Sequence, residues 1–241
     1  RRGREGRLKV PMSRDGIILL AKQSGITSFS SLWQIKNALG TKKIGHTGTL
    51  DTFAEGLLVS LSGRLTRLAP YITDCDKEYE ALIVFGKETD TLDPDGQIVR
   101  ETGLPLCRDL AAVLPRFLGG IMQVPPAYSA LHVDGQRASD LVRKGTAVEL
   151  PPRPVTIHSI DILAVSTADS TVPVSPGTEL TGSGGISPDT PVSALAVRIG
   201  CSKGTYIRSL ARDIADCAGS CAHLGALRRT RIGPFLLADA A

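Results

Sequence analysis

Apolar and polar positions along the chain follow two periods, and the segments they mark are short. Residues 17–20 form an apolar run that ends near Lys22 and Gly25, which predicts a strand feeding a turn. Leu32, Ile35 and Leu39 then recur at helical spacing. Thr27 or Ser28 before them can accept from the unpaired amides of a first turn, and Gly40 after them suits a left-handed stop. A glycine-rich stretch, 44–51, reads as a loop and leads into an apolar segment at 56–61. Residues 79–85 alternate as a strand does, and Asp93, Pro94, Asp95 and Gly96 close the following stretch with a strong turn signal. Leu106, Leu110, Leu114, Phe117 and Leu118 give a second helical stripe, interrupted by Pro115.

The second half mixes regular and irregular segments. Residues 123–150 carry Pro125, Pro126, Tyr128, Arg137, Arg143 and Lys144 without an apolar face, the pattern of a basic surface excursion. Two strands are predicted at 155–165 and 194–201, paired with one another; Leu195, Val197, Ile199 and Cys201 share one face of the second. Between them, 166–193 is rich in Ser, Thr, Pro and Gly and has no period, so a flexible loop is expected there. Loop-closure entropy grows only logarithmically with length, so such an insert costs a hairpin little. After a turn at 202–204, Ile207, Leu210, Ala211 and Ile214 place a core stripe on a helix. Strands and helices intermix without βαβ alternation or repeats, which predicts an α+β fold. One domain over 15–235 is expected, with a basic tail at 1–14 and a short tail at 236–241.

Composition narrows the class of protein. Apolar residues at 42% and charged residues at 22% exclude wholesale disorder. No apolar run nears the roughly 20 residues that span a bilayer and no signal peptide opens the chain, so the expected compartment is the cytoplasm. Part of the net charge of +4 sits in the first fourteen residues, where six basic side chains outnumber Glu5; Met12 is a candidate natural start. Five cysteines, odd in number and without a CxxC pair, fit neither a disulfide framework nor a zinc knuckle. Cys217, Cys221 and His223 lack a fourth ligand, so no metal is expected. Phosphate-loop, dinucleotide and HExxH signatures are also absent, so no cofactor is expected.

The densest chemistry lies in Gly45-His46-Thr47-Gly48-Thr49-Leu50-Asp51, where two glycines, an imidazole, hydroxyls and a carboxylate share seven positions. Glycine allows close approach of backbone to a ligand. On its own the stretch reads as an ordinary turn, with Asp51 capping a helix after it.

Together with three other segments, this stretch resembles the TruB family of pseudouridine synthases. GHTGTLDTFAEGLL is similar to the family's catalytic-loop motif, in which the Asp of TLD is essential; Asp51 holds that place. KEYEA supplies Tyr79 at the position of the active-site tyrosine, and CSKGTYIRSLARDI supplies Tyr206 and Arg208. Lys22 in LLAKQSGITS matches the lysine of the first motif, and Leu227 in GALRR an apolar pocket position. Gln23 and Thr52 stand where the family has prolines, which predicts a looser loop beside the carboxylate.

The resemblance implies a pseudouridine synthase fold and a definite activity. Uridine 55 in the T-loop of tRNA would be flipped out and isomerised, without a cofactor, by a monomer. It implies Asp51 as nucleophile or base, Arg208 as its paired cation, Tyr79 stacked on the uracil and Tyr206 stacking or handling the C5 proton. It also implies His46 as a wedge filling the vacated space in the RNA, where the residue pattern alone leaves a turn histidine bonding its own backbone. Arg137, Arg143 and Lys144 match the family's RNA-clamping insertion at 123–150. A separate C-terminal RNA-binding domain, common in the family, is not expected within the short stretch after Pro234. Two other readings remain: a synthase with a different RNA target, and a non-catalytic tRNA-binding or tRNA-folding protein.

Overall fold

The computed structural model describes residues 15–174, 180 and 186–240; the basic tail expected at 1–14 and the centre of the insert expected at 166–193 lie outside the described residues. β1 (Gly16–Lys22) is the predicted first strand, and α1 (Ser28–Leu39) the predicted first helix. Thr27 caps α1, its hydroxyl accepting from the Ser30 amide at 3.0 Å, and Gly40 ends it in the left-handed conformation at φ 55°. The next stretch differs from expectation. β2 (Ile44–His46) is a strand, paired with the far end of β3 (Glu55–Ser62), so the loop begins only at Thr47. Without β2 the edge of β3 opposite β1 would be unpaired over Ser60, Leu61 and Ser62, and backbone groups there need partners whatever the glycine content of the segment that supplies them.

After the short α2 (Ala69–Thr73), β4 (Lys77–Phe85) alternates between buried and half-buried residues as its pattern predicts. β5 (Lys87–Thr89) and β6 (Ile98–Glu101) form a hairpin around the Asp93 turn. The helical stripe then departs from expectation, because α3 (Cys107–Val113) gives way to a 3-10 turn over Leu114–Phe117 with Pro115 near its start. Leu118 lies beyond it, half exposed. β7 (Gly119–Gln123) opens the basic excursion, which contains a hairpin of β8 (His132–Val133) and β9 (Gln136–Arg137) and the short α4 (Ala138–Arg143).

β10 (Arg153–Ser166) pairs with both β7 and β12 (Ala194–Cys201). The insert between β10 and β12 is not irregular throughout: Thr171–Pro173 forms β11 against β10, and Leu180 and Val192 are buried. Its far end caps α3, with the carbonyls of Thr190 and Pro188 accepting from the Cys107 and Arg108 amides at 3.0 and 2.9 Å. The residue before α3, Leu106, has no side chain able to do so, which gives this polar segment its place. α5 (Ile207–Cys217) follows, then β13 (Ala222–Ile232) and β14 (Phe235–Leu236). The expected tail is folded back as well, since β14 pairs with β13 and Leu237 and Ala240 pack against a small apolar cluster.

These strands make one mixed sheet in the order β1-β3-β13-β4-β12-β10-β11, with β2, β7 and β14 pairing off that path, and the fold is α+β. All pairings in it are antiparallel except one. β3 and β13 run parallel and share only two residue pairs, Arg228 with Glu55 and Arg229 with Gly56. The main core, built on β4, β12, β13, α3 and α5, lies on one side of this junction; Leu57, Val59, Leu61, Ile72 and Ile232 form a second cluster. No helix among the described residues is long and apolar enough to cross a membrane.

Gly56 sits at the junction with φ 107°, and a Cβ there would stand 2.4 Å from the Arg229 carbonyl oxygen. That contact is with backbone, so no side chain can swing away to relieve it. Gly56→Ala is therefore expected to cost about 3 kcal/mol, measured as a fall in the denaturant midpoint. An unchanged midpoint would show that the two half-sheets can separate slightly at no cost.

Candidate active site

The turn between β2 and β3 carries Asp51, and the chain on both sides of it is held by the β1–α1 connection. The Ser28 hydroxyl accepts from the Leu50 amide at 2.9 Å and donates to the Leu50 carbonyl at 3.0 Å. The Gly25 amide donates to the Thr52 carbonyl at 2.8 Å, and the Ser24 hydroxyl to the Phe53 carbonyl at 2.7 Å. Lys22 is fully buried and its ammonium donates to the carbonyls of Gln23, Thr52 and Ala54. Thr52 therefore has its carbonyl fixed from two directions, and the loop is anchored without the proline whose absence predicted looseness. Burial lowers the Lys22 pKa, which the nearby Asp51 charge opposes.

Asp51 keeps 38% of its side chain exposed, whereas Arg208 behind it keeps 4%. One Arg208 terminal nitrogen donates to Asp51 Oδ1 at 3.2 Å and to the Tyr128 carbonyl at 2.9 Å. The other donates to the Thr91 carbonyl at 2.7 Å and stands 3.6 Å from Asp93 Oδ2. Nε is 2.9 Å from Asp51 Oδ2, but its N–H makes no aligned hydrogen bond, so that contact is ionic. A guanidinium held by two carboxylates and two carbonyls is a fixed cation, and it fixes the direction in which the Asp51 carboxylate points.

Around this pair stand the predicted aromatic and apolar residues. Tyr79, Leu50 and Leu227 belong to the main core, Tyr79 and Leu227 on neighbouring strands β4 and β13. Burial raises the Tyr79 pKa, the Arg229 charge opposes this, and the Asp51 charge adds to it. Tyr206, half buried just before α5, is likewise raised by burial, with the Arg208 charge opposing and Asp51 adding. Both phenols thus stay neutral at physiological pH. The Asp51 charge is felt at Lys22, Tyr79, Asp93 and Tyr206, which places the four groups around one carboxylate.

His46 is half buried at the end of β2, and its Nδ1 accepts from the Gly48 amide at 3.4 Å. Burial, then the Arg229 charge, lower its pKa, so the ring is neutral. The contact with its own loop is the one the residue pattern alone suggested. Arg137, Arg143 and Lys144 stand apart from this cluster and face solvent around α4: Arg143 lies 3.6 Å from Asp140, and Lys144 donates to Gln136 at 3.4 Å. The excursion reaches the site through Tyr128 instead, whose carbonyl accepts from Arg208.

Sequence reasoning overlooked Arg229, Asp93 and Gln123 as site residues. Arg229 is fully buried, donating from Nε to the Leu57 carbonyl at 2.9 Å and from a terminal nitrogen to the Gly48 carbonyl at 3.1 Å, and so ties the catalytic-loop stretch to the parallel junction. A signal existed, since Arg229 is two positions after inward Leu227 on a strand and must share its face. Asp93 was legible only as a turn former; burial raises its pKa, opposed by its Thr91 hydrogen bond and then by Arg208. Gln123, buried at the end of β7, binds both backbone groups of Tyr206, accepting from its amide at 2.8 Å and donating to its carbonyl at 3.1 Å. No local pattern marks that role. Among the described residues no group of three or more His, Cys, Asp or Glu side chains could hold a metal ion.

Comparison with known proteins bears on this arrangement. The family model described as TruB family pseudouridylate synthase (N terminal domain) matches residues 36–180. The tRNA pseudouridine synthase B of Treponema denticola is 47% identical over 232 residues, covering 95% of this chain and 63% of the relative. That of Borreliella burgdorferi strain ZS7 is 43% identical over 226 residues, covering 93% and 72%. Among solved structures, that of a Cbf5-Nop10-Gar1 complex has a chain of TM-score 0.62 and 27% identity, matched over 92% of this chain and 50% of that one. An H/ACA RNP bound to a substrate RNA containing 2'-deoxyuridine gives a TM-score of 0.60 at 26% identity, over 92% and 48%. The chain thus spans 63% of the length of the Treponema relative and about half of those solved chains.

Proposed function

Because the chain belongs to the TruB family of pseudouridylate synthases, we propose that it isomerises uridine to pseudouridine at position 55 in the T-loop of tRNA. The observation that carries the reading is the Asp51–Arg208 pair, a half-open carboxylate on a buried guanidinium with two neutral tyrosines beside it. The names of the bacterial relatives, tRNA pseudouridine synthase B, support tRNA as substrate.

The reaction breaks the bond from ribose C1' to uracil N1, turns the base, and joins C1' to C5; N1 gains a proton and C5 loses one to solvent. The sum is an isomerisation, so no redox partner or phosphoryl donor enters the balance. Asp51 starts it as nucleophile or base, and Arg208 orients it and supplies the opposite charge at the reacting centre. Tyr79 and Leu227 form the apolar wall against which the uracil lies, and Tyr206 handles the C5 proton. Lys22 holds the loop that aims Asp51. A uridine inside a folded loop must be extruded at a cost of a few kcal/mol, and the neutral His46 ring fills the vacancy.

Arg137, Arg143 and Lys144 clamp phosphates, which strengthens binding without reading sequence. The enzyme works as a monomer in the cytoplasm without a cofactor. Release of tritium from C5 of uracil in an unmodified tRNA tests the reading: stoichiometric release is expected, and bound tRNA that releases none would sink it. In the same assay, replacing Arg143 and Lys144 by Ser should flatten the salt dependence of KM, whereas an unchanged slope would remove the clamp.

A further inference from the structure

α1 carries a feature that neither the core nor the proposed chemistry uses. Phe29 and Trp33, one turn apart on the helix, are 71% and 65% exposed, and Ile26 beside them is exposed as well. Among the described residues these two and Tyr71 are the exposed large aromatics. The inner face of α1 is already filled by Ser28, Ser31 and Leu32, so the two rings are not needed for packing. Leaving them in water forgoes about 1.5–3 kcal/mol of burial for a side chain such as Phe.

The surroundings are cationic. Lys36 lies 4.1 Å over the Phe29 ring, and Lys42 and Lys43 are exposed just beyond the helix. From residue 23 to residue 50 the chain contains no Asp or Glu. The patch also adjoins the reacting site, because Ser28, next to Phe29, bonds both backbone groups of Leu50, next to Asp51. With Cα atoms 3.8 Å apart along the chain, Phe29 and Asp51 are separated by roughly 15 Å at most, which a few nucleotides span.

From these observations we propose that Phe29 and Trp33 form a base-stacking platform for substrate RNA, with Lys36, Lys42 and Lys43 meeting its phosphates. Aromatic faces interleaved with cations suit unpaired bases of any identity, so the platform holds strand flanking the target uridine rather than selecting it. Asp15 lies near Lys43 but is already paired with Arg64, so the patch keeps a cationic excess, and a polyanion gains from it more than a protein segment would. The inference rests on the reading of RNA as substrate.

Trp33 is the only tryptophan of the chain, so its fluorescence reports on this patch alone. A tRNA T-arm stem-loop titrated into the Asp51→Asn protein should quench Trp33 emission saturably. Trp33→Ser and Phe29→Ser, both at exposed positions, should each raise KM for the stem-loop roughly tenfold while kcat in the tritium assay holds. Unmoved emission together with unchanged KM, on a stem-loop that the parent isomerises, would overturn the platform and leave the proposed function standing. Quenching by a stem-loop that is bound but never isomerised would support the platform and sink the function instead. Emission that is blue-shifted before RNA is added, and unaffected by it, would show the patch covered by protein and also overturn the proposal.

Discussion

Replacing Asp51 by Asn is expected to lower tritium release from tRNA by on the order of 10⁴-fold or more, while the Kd for unmodified tRNA stays within about threefold of the parent. The two side chains have nearly the same shape, and an Asn oxygen can still accept from Arg208, where Asp51 Oδ1 now does at 3.2 Å. What disappears is the charge and the lone pair able to attack or take a proton. The loop keeps its place because its anchors are backbone bonds to Ser28, Gly25, Ser24 and Lys22, none of which involves the carboxylate. Comparable turnover in this variant would remove Asp51 from the chemistry, and joint loss of turnover and of tRNA binding would assign it to binding.

The second large effect is expected at Arg208, where stability and activity fall together. Arg208→Met leaves the Tyr128 and Thr91 carbonyls without their donor and strands Asp93, whose side chain is only 9% exposed. Removing one member of a buried ionic cluster costs about 3 kcal/mol or more, and turnover should fall on the order of 10³-fold with the loss of a fixed charge at the reacting centre. Arg208→Lys should restore part of the stability and little of the activity, since one ammonium cannot span two carboxylates and two carbonyls.

The pH dependence of this variant has a defined sign. Burial already raises the Asp93 pKa, and Arg208 opposes that rise. Without Arg208 the folded-state pKa lies further above the unfolded value, so the folded protein binds the extra proton first as pH falls. Stability of Arg208→Met should therefore decrease as pH rises through the window between those two pKa values and stay low above it. Denaturation midpoints from acid to neutral pH would show the gap to the parent widening; a constant gap would mean that Asp93 does not bear the cost.

Much of the fold was legible in local pattern because the pattern and the tertiary structure agree. Thr27 and Gly40 bound the first helix as their chemistry requires, and β4 and β12 alternate as half-buried strands do. The misreadings fall where a long-range partner outweighed composition. Gly45 lies in a strand because the free edge of β3 needed pairing, and part of a Ser- and Thr-rich insert is ordered because α3 has no capping side chain of its own. Leu118 left its stripe because Pro115 diverted the chain first.

The site divides in the same way. Asp51, Tyr79, Tyr206 and Arg208 could be named from motifs, since each motif is a short contiguous string. By itself the sequence determined the candidate reactive groups, the period of each element and the turn residues between them. Only the tertiary structure decided that Arg208 is shared by Asp51 and Asp93, that Arg229 ties Gly48 to Leu57, and that Gln123 holds Tyr206 from a strand 83 residues earlier. Local pattern carries propensity and periodicity, which act over a few residues. The choice of partner for a buried donor or charge is made by whatever the folded chain brings within about 3 Å of it, and that distance is not written in any one segment.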